Sequence, residues 1–324
     1  NRAIVSNRQP GSAYKIFVYS EAFEQLGLTP KDMITDRPVC IGDWCPQNYG
    51  RSYKGTVTLA SAFAQSLNTV PVTLSIKTGR DTIAALSHRM GLRADYPVTR
   101  SLALGVASVS VLDMTSSYAV LADDGYKTQA YGINRIASLT GDVIYESNPN
   151  APRERVLSET TVANMNSMLR GVITGGTGRK GQVEGVPVVG KSGTTSSYRD
   201  AWFAGFSGNF VSAVWMGNDD YSPTKTLTGG NLPAVAWQKF MAYAHTNIEI
   251  LPVFGVDFVP EKTVIADADP THIEEAPAER PPTLKPAAAR KLVDMADMLA
   301  LTLKQALPIT DQASTAIPAR TSGL

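Results

Sequence analysis

Ser12 and Lys15, three residues apart in Ser12-Ala13-Tyr14-Lys15, have the types and the spacing of a nucleophile and its base. A serine hydroxyl is a weak nucleophile until a neighbouring base takes its proton. On a helix, residues i and i+3 share a face, so the Lys15 amine comes within reach of the Ser12 hydroxyl if both point into a cleft. The helix that must hold the pair is written around it. Pro10-Gly11 breaks the preceding chain, Phe17, Val18, Ala22, Phe23 and Leu26 form an apolar face, and Gly27 with Pro30 ends the run. Ser12 therefore falls in a first turn, where unpaired N–H groups and the positive end of the helix dipole favour developing negative charge.

By itself a serine ahead of a helix is ordinarily a cap, and two further groups change its reading. Residues 58–65 read as a helix running into Ser66-Leu67-Asn68, with Pro71 restarting the chain. A turn there aims Ser66 and Asn68 one way, giving a proton-relay hydroxyl and an amide that can hold a substrate carbonyl. The third group is Lys191-Ser192-Gly193-Thr194-Thr195, on a strand announced by Val186, Val188 and Val189. Two more strands, 201–206 and 210–216, flank Ser207-Gly208-Asn209, a hairpin turn. Gly193 lets the backbone approach a ligand, Lys191 supplies a positive charge, and Ser192 and Thr194 supply hydroxyls for an anionic group. A second match, Lys77-Thr78-Gly79, ends a helix predicted over 70–76, with no strand before it and no hairpin after it. It is expected to be a helix stop.

With serine-x-x-lysine, serine-x-asparagine and lysine-serine-glycine in that order, the chain resembles penicillin-binding proteins and serine β-lactamases. The likeness narrows to the transpeptidase domain of class A, bifunctional penicillin-binding proteins. It does so through Arg8-Gln9-Pro10-Gly11-Ser12, Ser101-Leu102-Ala103-Leu104-Gly105, Gly175-Gly176-Thr177-Gly178, Arg199-Asp200-Ala201-Trp202-Phe203, Val214-Trp215-Met216-Gly217-Asn218-Asp219-Asp220 and Thr228-Gly229-Gly230. It spans about residues 1–245.

The resemblance implies an α+β fold, an antiparallel five-stranded sheet flanked by helices beside a mostly helical subdomain, with the site between them. It also implies a D,D-transpeptidase. Ser12 would attack the penultimate D-alanine carbonyl of a peptidoglycan stem peptide, expel the last D-alanine, and pass the acyl group to an amine on a neighbouring stem. In that scheme Lys15 is the base, Ser66 relays the proton and Asn68 holds the acyl-side amide. Lys191, Ser192 and Thr194 bind the terminal carboxylate, Gly193 and Thr195 complete the substrate-binding set with them, and the backbone N–H groups of Ser12 and Thr194 hold the oxyanion. A β-lactam would acylate Ser12 and stay; neither metal nor cofactor is implied. The family carries a membrane anchor and a glycosyltransferase domain ahead of this region, so a chain starting at Asn1 is expected to be a fragment. Its expected place is the extracytoplasmic face of a bacterial inner membrane, with cell-wall synthesis proteins as partners.

In one departure Ser192 stands where many members have threonine, which keeps the hydroxyl. In another, no acidic residue can be placed as the deacylating base of a β-lactamase. Two alternatives stay open: a D,D-carboxypeptidase or β-lactamase-type hydrolase, in which water resolves the acyl-enzyme, and a β-lactam sensor or non-catalytic scaffold.

At 324 residues and 43% hydrophobic content the chain can bury one large domain, assigned to 1–250, with a tail over 251–324. A net charge of +1 leaves no nucleic-acid footprint. No uncharged apolar run reaches the length of a membrane span, the stretch from Leu102 stopping at Asp113, and the start has no signal-peptide pattern. Cys40 and Cys45 are spaced for a small-loop disulfide, with free thiols the next reading and zinc poorly served. His88, His245 and His272 show no ligand spacing and are read as packing or surface residues. Prolines from Pro260 to Pro286 read as a linker, followed by a helix over 287–307 with Leu292, Ala296, Leu299 and Leu303 on one face. Between the motifs, residues 81–120 read as largely helical and Asp123-Asp124-Gly125 as a turn. A hairpin is expected about Thr140-Gly141-Asp142, and a helix over 160–172.

Overall fold

The helix expected after Ser12 is buried along most of its length in the computed structural model, which describes residues 1–148 and 151–257. After a short first helix, α1 (Arg2–Val5), this helix is α2 (Lys15–Leu26), and Lys15, Ile16, Phe17, Val18, Tyr19, Ser20, Ala22 and Phe23 are all buried. Gly27 ends it in the left-handed conformation at φ 62°, the position the sequence assigned to a stop. Around α2 pack α4 (Thr69–Thr78), α5 (Arg80–Arg89) and α7 (Glu159–Thr174). Between α2 and α4 the chain forms an antiparallel pair, β1 (Met33–Asp36) with β2 (Gly55–Thr58), and then α3 (Leu59–Ala64), capped by the Thr58 side chain. The long β1–β2 connection contains the Cys40–Cys45 disulfide.

The sequence expectation of helix across 81–120 holds at its two ends. α5 stops at Arg89 because Gly91 turns the chain at φ 110° and Pro97 follows. A 3-10 turn at Leu102–Leu104 then precedes α6 (Val111–Ala122), capped by Ser110. The hairpin about Thr140-Gly141-Asp142 is present as β3 (Arg135–Ala137) and β4 (Val143–Glu146).

The main sheet is antiparallel in the order β5 (Val189–Thr194), β6 (Asp200–Phe206), β7 (Val211–Gly217). Every residue of β6 is buried because both faces are covered. Trp202, Ala204 and Phe206 join the main core with α2, whereas Phe203 faces a smaller cluster with Trp237 and Met241 of α8 (Leu232–Ala244). Alternate residues going to opposite cores is the two-residue period of a strand. β5 lies against α7 and against the turn that holds Ser12, which brings the third motif to the first. β7 is the other outer strand, half-exposed at all seven residues. The described residues thus form three strands of this sheet, where the resemblance implied five. The expected linker, the helix at 287–307 and His272 lie outside the described residues.

Candidate active site

Ser12 lies in a 3-10 turn, Gly11–Tyr14, that runs directly into α2. Three residues complete such a turn, so positions i and i+3 eclipse, and Lys15 shares the face of Ser12 more closely than an α-helix would allow. Gly11, at φ 52°, donates its N–H to Gly105 O at 3.1 Å, and a Cβ on Gly105 would run into Gly11 O. That contact is the physical content of the Ser101–Gly105 block.

Lys15 is fully buried, and its Nζ donates to Ser66 O at 2.9 Å, Leu67 O at 3.0 Å and Asn68 Oδ1 at 2.8 Å, with Ser66 Oγ at 3.3 Å. The hydrogen bond to Ser12 suggested by the spacing is not among them. Three acceptors on the 66–68 turn already match the three N–H groups of an ammonium. Burial pushes the Lys15 pKa well below its ordinary value, and the charge of Lys191 pushes it the same way. Lys191, also fully buried, is pushed down by burial to about 7. Its Nζ donates to Ser66 Oγ at 2.9 Å and to Ser192 O at 3.1 Å. Burying an ammonium costs several kcal/mol. Proton loss relieves part of that, and about 1.5–3 kcal/mol from each buried large apolar side chain on α2 offsets the rest.

Ser66 sits between the two lysines in a strained seat. Its φ is 57°, with Ser66 N–H bonded to Phe63 O and Leu67 N–H to Ala62 O, both at 3.0 Å. This is a Schellman end for α3, whose left-handed position glycine usually fills. A serine there costs about 1–2 kcal/mol in backbone strain, and the return is a hydroxyl held between two amines. Asn68 is fixed from three directions. Its Oδ1 accepts from Lys15, its Nδ2 donates to Gln47 O at 2.9 Å, and its N–H donates to Asn48 Oδ1 at 2.7 Å. Asn48 is anchored in turn on buried Asp36 at 2.9 and 3.0 Å.

On β5, Ser192 Oγ is 2.7 Å from Thr177 Oγ1, and Thr194 Oγ1 accepts from Gly229 N–H at 3.0 Å. Gly193 allows a close approach of β5 not to a ligand but to the Ser12 turn, since a Cβ there would strike Pro10 O. Thr195 points its hydroxyl to the β5–β6 turn instead, accepting from Asp200 N–H at 2.9 Å. Ser12, Ser66, Asn68, Ser192 and Thr194 line one cleft of about 510 Å³, with Lys15 and Lys191 buried behind them.

Sequence reasoning gave no role to Thr177, Thr228 and Gly230, which also line the cleft, although their blocks were visible as parts of the resemblance. Tyr49, another lining residue, had no sequence signal; its hydroxyl is 2.7 Å from that of Tyr198. The Cys40–Cys45 disulfide is formed, as expected. His88 bonds Leu92 O and His245 bonds Ser207 and Met241, so both pack rather than gather into a site. Lys77 is exposed on the last turn of α4, and Gly79 at φ 95° ends that helix.

The chain resembles known proteins in sequence and in fold. The model of the penicillin binding protein transpeptidase domain matches residues 1–225. Penicillin-binding protein 1A of Aquifex aeolicus is 35% identical over 280 residues, covering 82% of this chain and 38% of its own length. Penicillin-binding protein 1B of Vibrio cholerae is 34% identical over 255 residues, covering 75% of this chain and 32% of its own. The chain therefore spans about a third of the length of these curated relatives. Among solved structures, penicillin-binding protein 1A from Haemophilus influenzae matches with a TM-score of 0.71 at 28% identity, over 81% of this chain and 45% of that one. The PonA1 protein of Mycobacterium tuberculosis, solved in complex with penicillin V, shares the fold with a TM-score of 0.69 at 23% identity, over 79% and 75% of the two chains. With the family model matched across the motifs and relatives above 30% identity, this chain belongs to the penicillin-binding protein transpeptidase domain family.

Proposed function

We propose that the chain is a serine D,D-transpeptidase that cross-links peptidoglycan stem peptides through an acyl-enzyme on Ser12 and is inhibited by β-lactams. The observation that carries this reading is the pair of buried lysines gripping Ser66 Oγ beside Ser12. Neutral Lys15 takes the Ser12 proton as Oγ bonds the penultimate D-alanine carbonyl, exchanging one of its carbonyl partners for Ser12 when substrate closes the site. The bond to the last D-alanine breaks, and its nitrogen gains a proton by way of Ser66. An acceptor amine then attacks the ester, the C–N bond forms, the C–Oγ bond breaks, and the proton returns to Ser12. Lys191, Ser192 and Thr194 hold the terminal carboxylate, and Asn68 uses its second amide N–H for the acyl-side carbonyl. The N–H groups of Ser12 and Thr194 serve the oxyanion. Gly193 gives the close backbone approach and Thr195 braces the turn beyond it.

An amine acceptor is favoured over water because, among the described residues, none that lines the cleft is acidic. The domain is assigned to 1–250 and a tail to 251–324. Two further strands on the open side of half-exposed β7 would give the five-stranded sheet. The full protein is assigned a glycosyltransferase domain, a membrane anchor and cell-wall synthesis partners on the extracytoplasmic face of the inner membrane. The Cys40–Cys45 disulfide supports an oxidising compartment. Among the described residues no helix is long and apolar enough to cross a membrane. The test supplies a stem peptide ending in D-Ala-D-Ala with and without an acceptor amine. A product whose mass is the sum of donor and amine less one D-alanine is expected; a shortened donor in both reactions would make the chain a hydrolase.

A further inference from the structure

The cleft with Ser192 and Thr177 occupies one side of Ser12. A second cavity of about 400 Å³ shares Ser12, Asn68 and Thr194 with it; Thr195 and Ser196 continue its β5 side, and Trp44, Pro46 and Gln47 and the turn at 101–106 are among its other walls. Thr194 borders both, and the paired hydroxyls of Ser192 and Thr177 separate them. Ser192 and Thr177 line the first cavity and not the second, so the substrate's terminal carboxylate and its leaving amino acid belong in the first. The acyl portion bonded to Ser12 must then run the other way, past Asn68, into the second.

The wall it meets is held firmly. Ile41 and Trp44 exchange both backbone hydrogen bonds, at 2.9 and 3.3 Å, inside the loop that Cys40–Cys45 closes. Asp43 of the same hairpin pairs with Arg100, which adjoins Ser101 of the 101–106 turn. Trp44 is half-buried against the core, and no described residue accepts a hydrogen bond from its indole N–H. Asn68 reaches the same segment through Gln47 O. A fixed aromatic face with an unused N–H beside a nucleophile suits an acylated amine or a peptide segment, which offers apolar groups and carbonyl oxygens together.

We propose that Trp44, presented by the disulfide-closed hairpin, is a specificity residue that grips the acyl side of the donor, the peptide segment ahead of the D-alanine that becomes bonded to Ser12. The assignment rests on the acyl-transfer reading of the site. Two β-lactams isolate it. Benzylpenicillin carries a phenylacetyl group on its amide nitrogen, and 6-aminopenicillanic acid has the same rings and carboxylate with a bare amine there. With either one, Ser12 Oγ bonds the lactam carbonyl carbon, the lactam C–N bond breaks, and the nitrogen takes the proton.

Acylation rates are measured on the unaltered chain, on Trp44→Ala, on Trp44→Phe, and on Cys40→Ser combined with Cys45→Ser. Trp44→Ala should slow benzylpenicillin about tenfold and leave 6-aminopenicillanic acid within about twofold. Trp44→Phe should recover most of the loss, and the cysteine pair should shift the ratio of the two rates in the same direction as Trp44→Ala. Equal slowing of both compounds would make Trp44 merely structural and overturn the proposal, as would no slowing of either. If neither compound labels the unaltered chain, the acyl-transfer reading itself falls, a result distinct from both.

Discussion

Lys77-Thr78-Gly79 ends α4, with Lys77 exposed, Thr78 Oγ1 bonded back to Leu74 O, and Gly79 turning the chain at φ 95°. Lys191-Ser192-Gly193 lies in β5, with Lys191 buried against Ser66 Oγ, Ser192 on Thr177, and Gly193 pressed to the Ser12 turn. The tripeptides differ by one methyl group. Cavity size does not separate them either, for Lys77 borders a hollow of about 720 Å³ while the Ser12 cleft is about 510 Å³. The larger hollow is lined by Met33, Ile34, Val39 and Ile76 along with Arg37 and Lys77, and it has no nucleophile with a buried base. Chemistry follows from which element holds the lysine and what that element is packed against.

The comparison breaks most sharply at Lys15, which the β5 tripeptide meets through Ser66 and the α4 tripeptide does not. Lys15→Ala should slow acylation of Ser12 by about two to four powers of ten, the usual scale of a lost general base. Stopped-flow labelling measures it, and a near-unchanged rate would move the base role to Ser66.

Next in size is the contrast between the tripeptides themselves. A charge-assisted hydrogen bond contributes about 1.5–3 kcal/mol, so Lys191→Ala should slow acylation at least about tenfold, whereas Lys77→Ala should stay within about twofold. The pH profile sharpens this. In the proposed mechanism acylation needs neutral Lys15, so the rate should rise as pH climbs through its pKa, which burial and the charge of Lys191 hold low. Removing that charge and admitting water both raise the Lys15 pKa. The ascending limb therefore moves to higher pH in Lys191→Ala and stays in place in Lys77→Ala.

The smallest effect concerns stability. Ser66 occupies a glycine seat at φ 57°, so Ser66→Gly should raise unfolding free energy by about 1 kcal/mol while impairing acylation. Denaturant melts and labelling together test this, and a destabilised variant would mean that the strain reading is wrong.

Local order explains what could be read from sequence alone. α2, α4 and α7 follow from apolar spacing and end signals within one segment, and β5 to β7 follow from valines, aromatics and a tight turn. The convergence of Ser12, Ser66, Asn68 and Lys191 was read from motif types and chain order through the resemblance, because no local pattern encodes which turn meets which strand. The same limit hid Thr177, whose hydroxyl matters only through Ser192, a residue of another element. It also hid the Asn48–Asp36 anchor under Asn68, a buried amide and carboxylate that look like loop residues in sequence. Two details were masked by backbone geometry: the 3-10 form of the Ser12 turn, and the carbonyls that draw Lys15 away from Ser12.

The central claim is that Ser12 is the nucleophile served by this two-lysine site. The most direct measurement incubates the chain with benzylpenicillin and locates the adduct by mass spectrometry of its peptides, for the unaltered protein and for Ser12→Ala. One penicillin mass on the peptide containing Ser12, and none in the folded variant, is the predicted result; an adduct that persists in Ser12→Ala would contradict it.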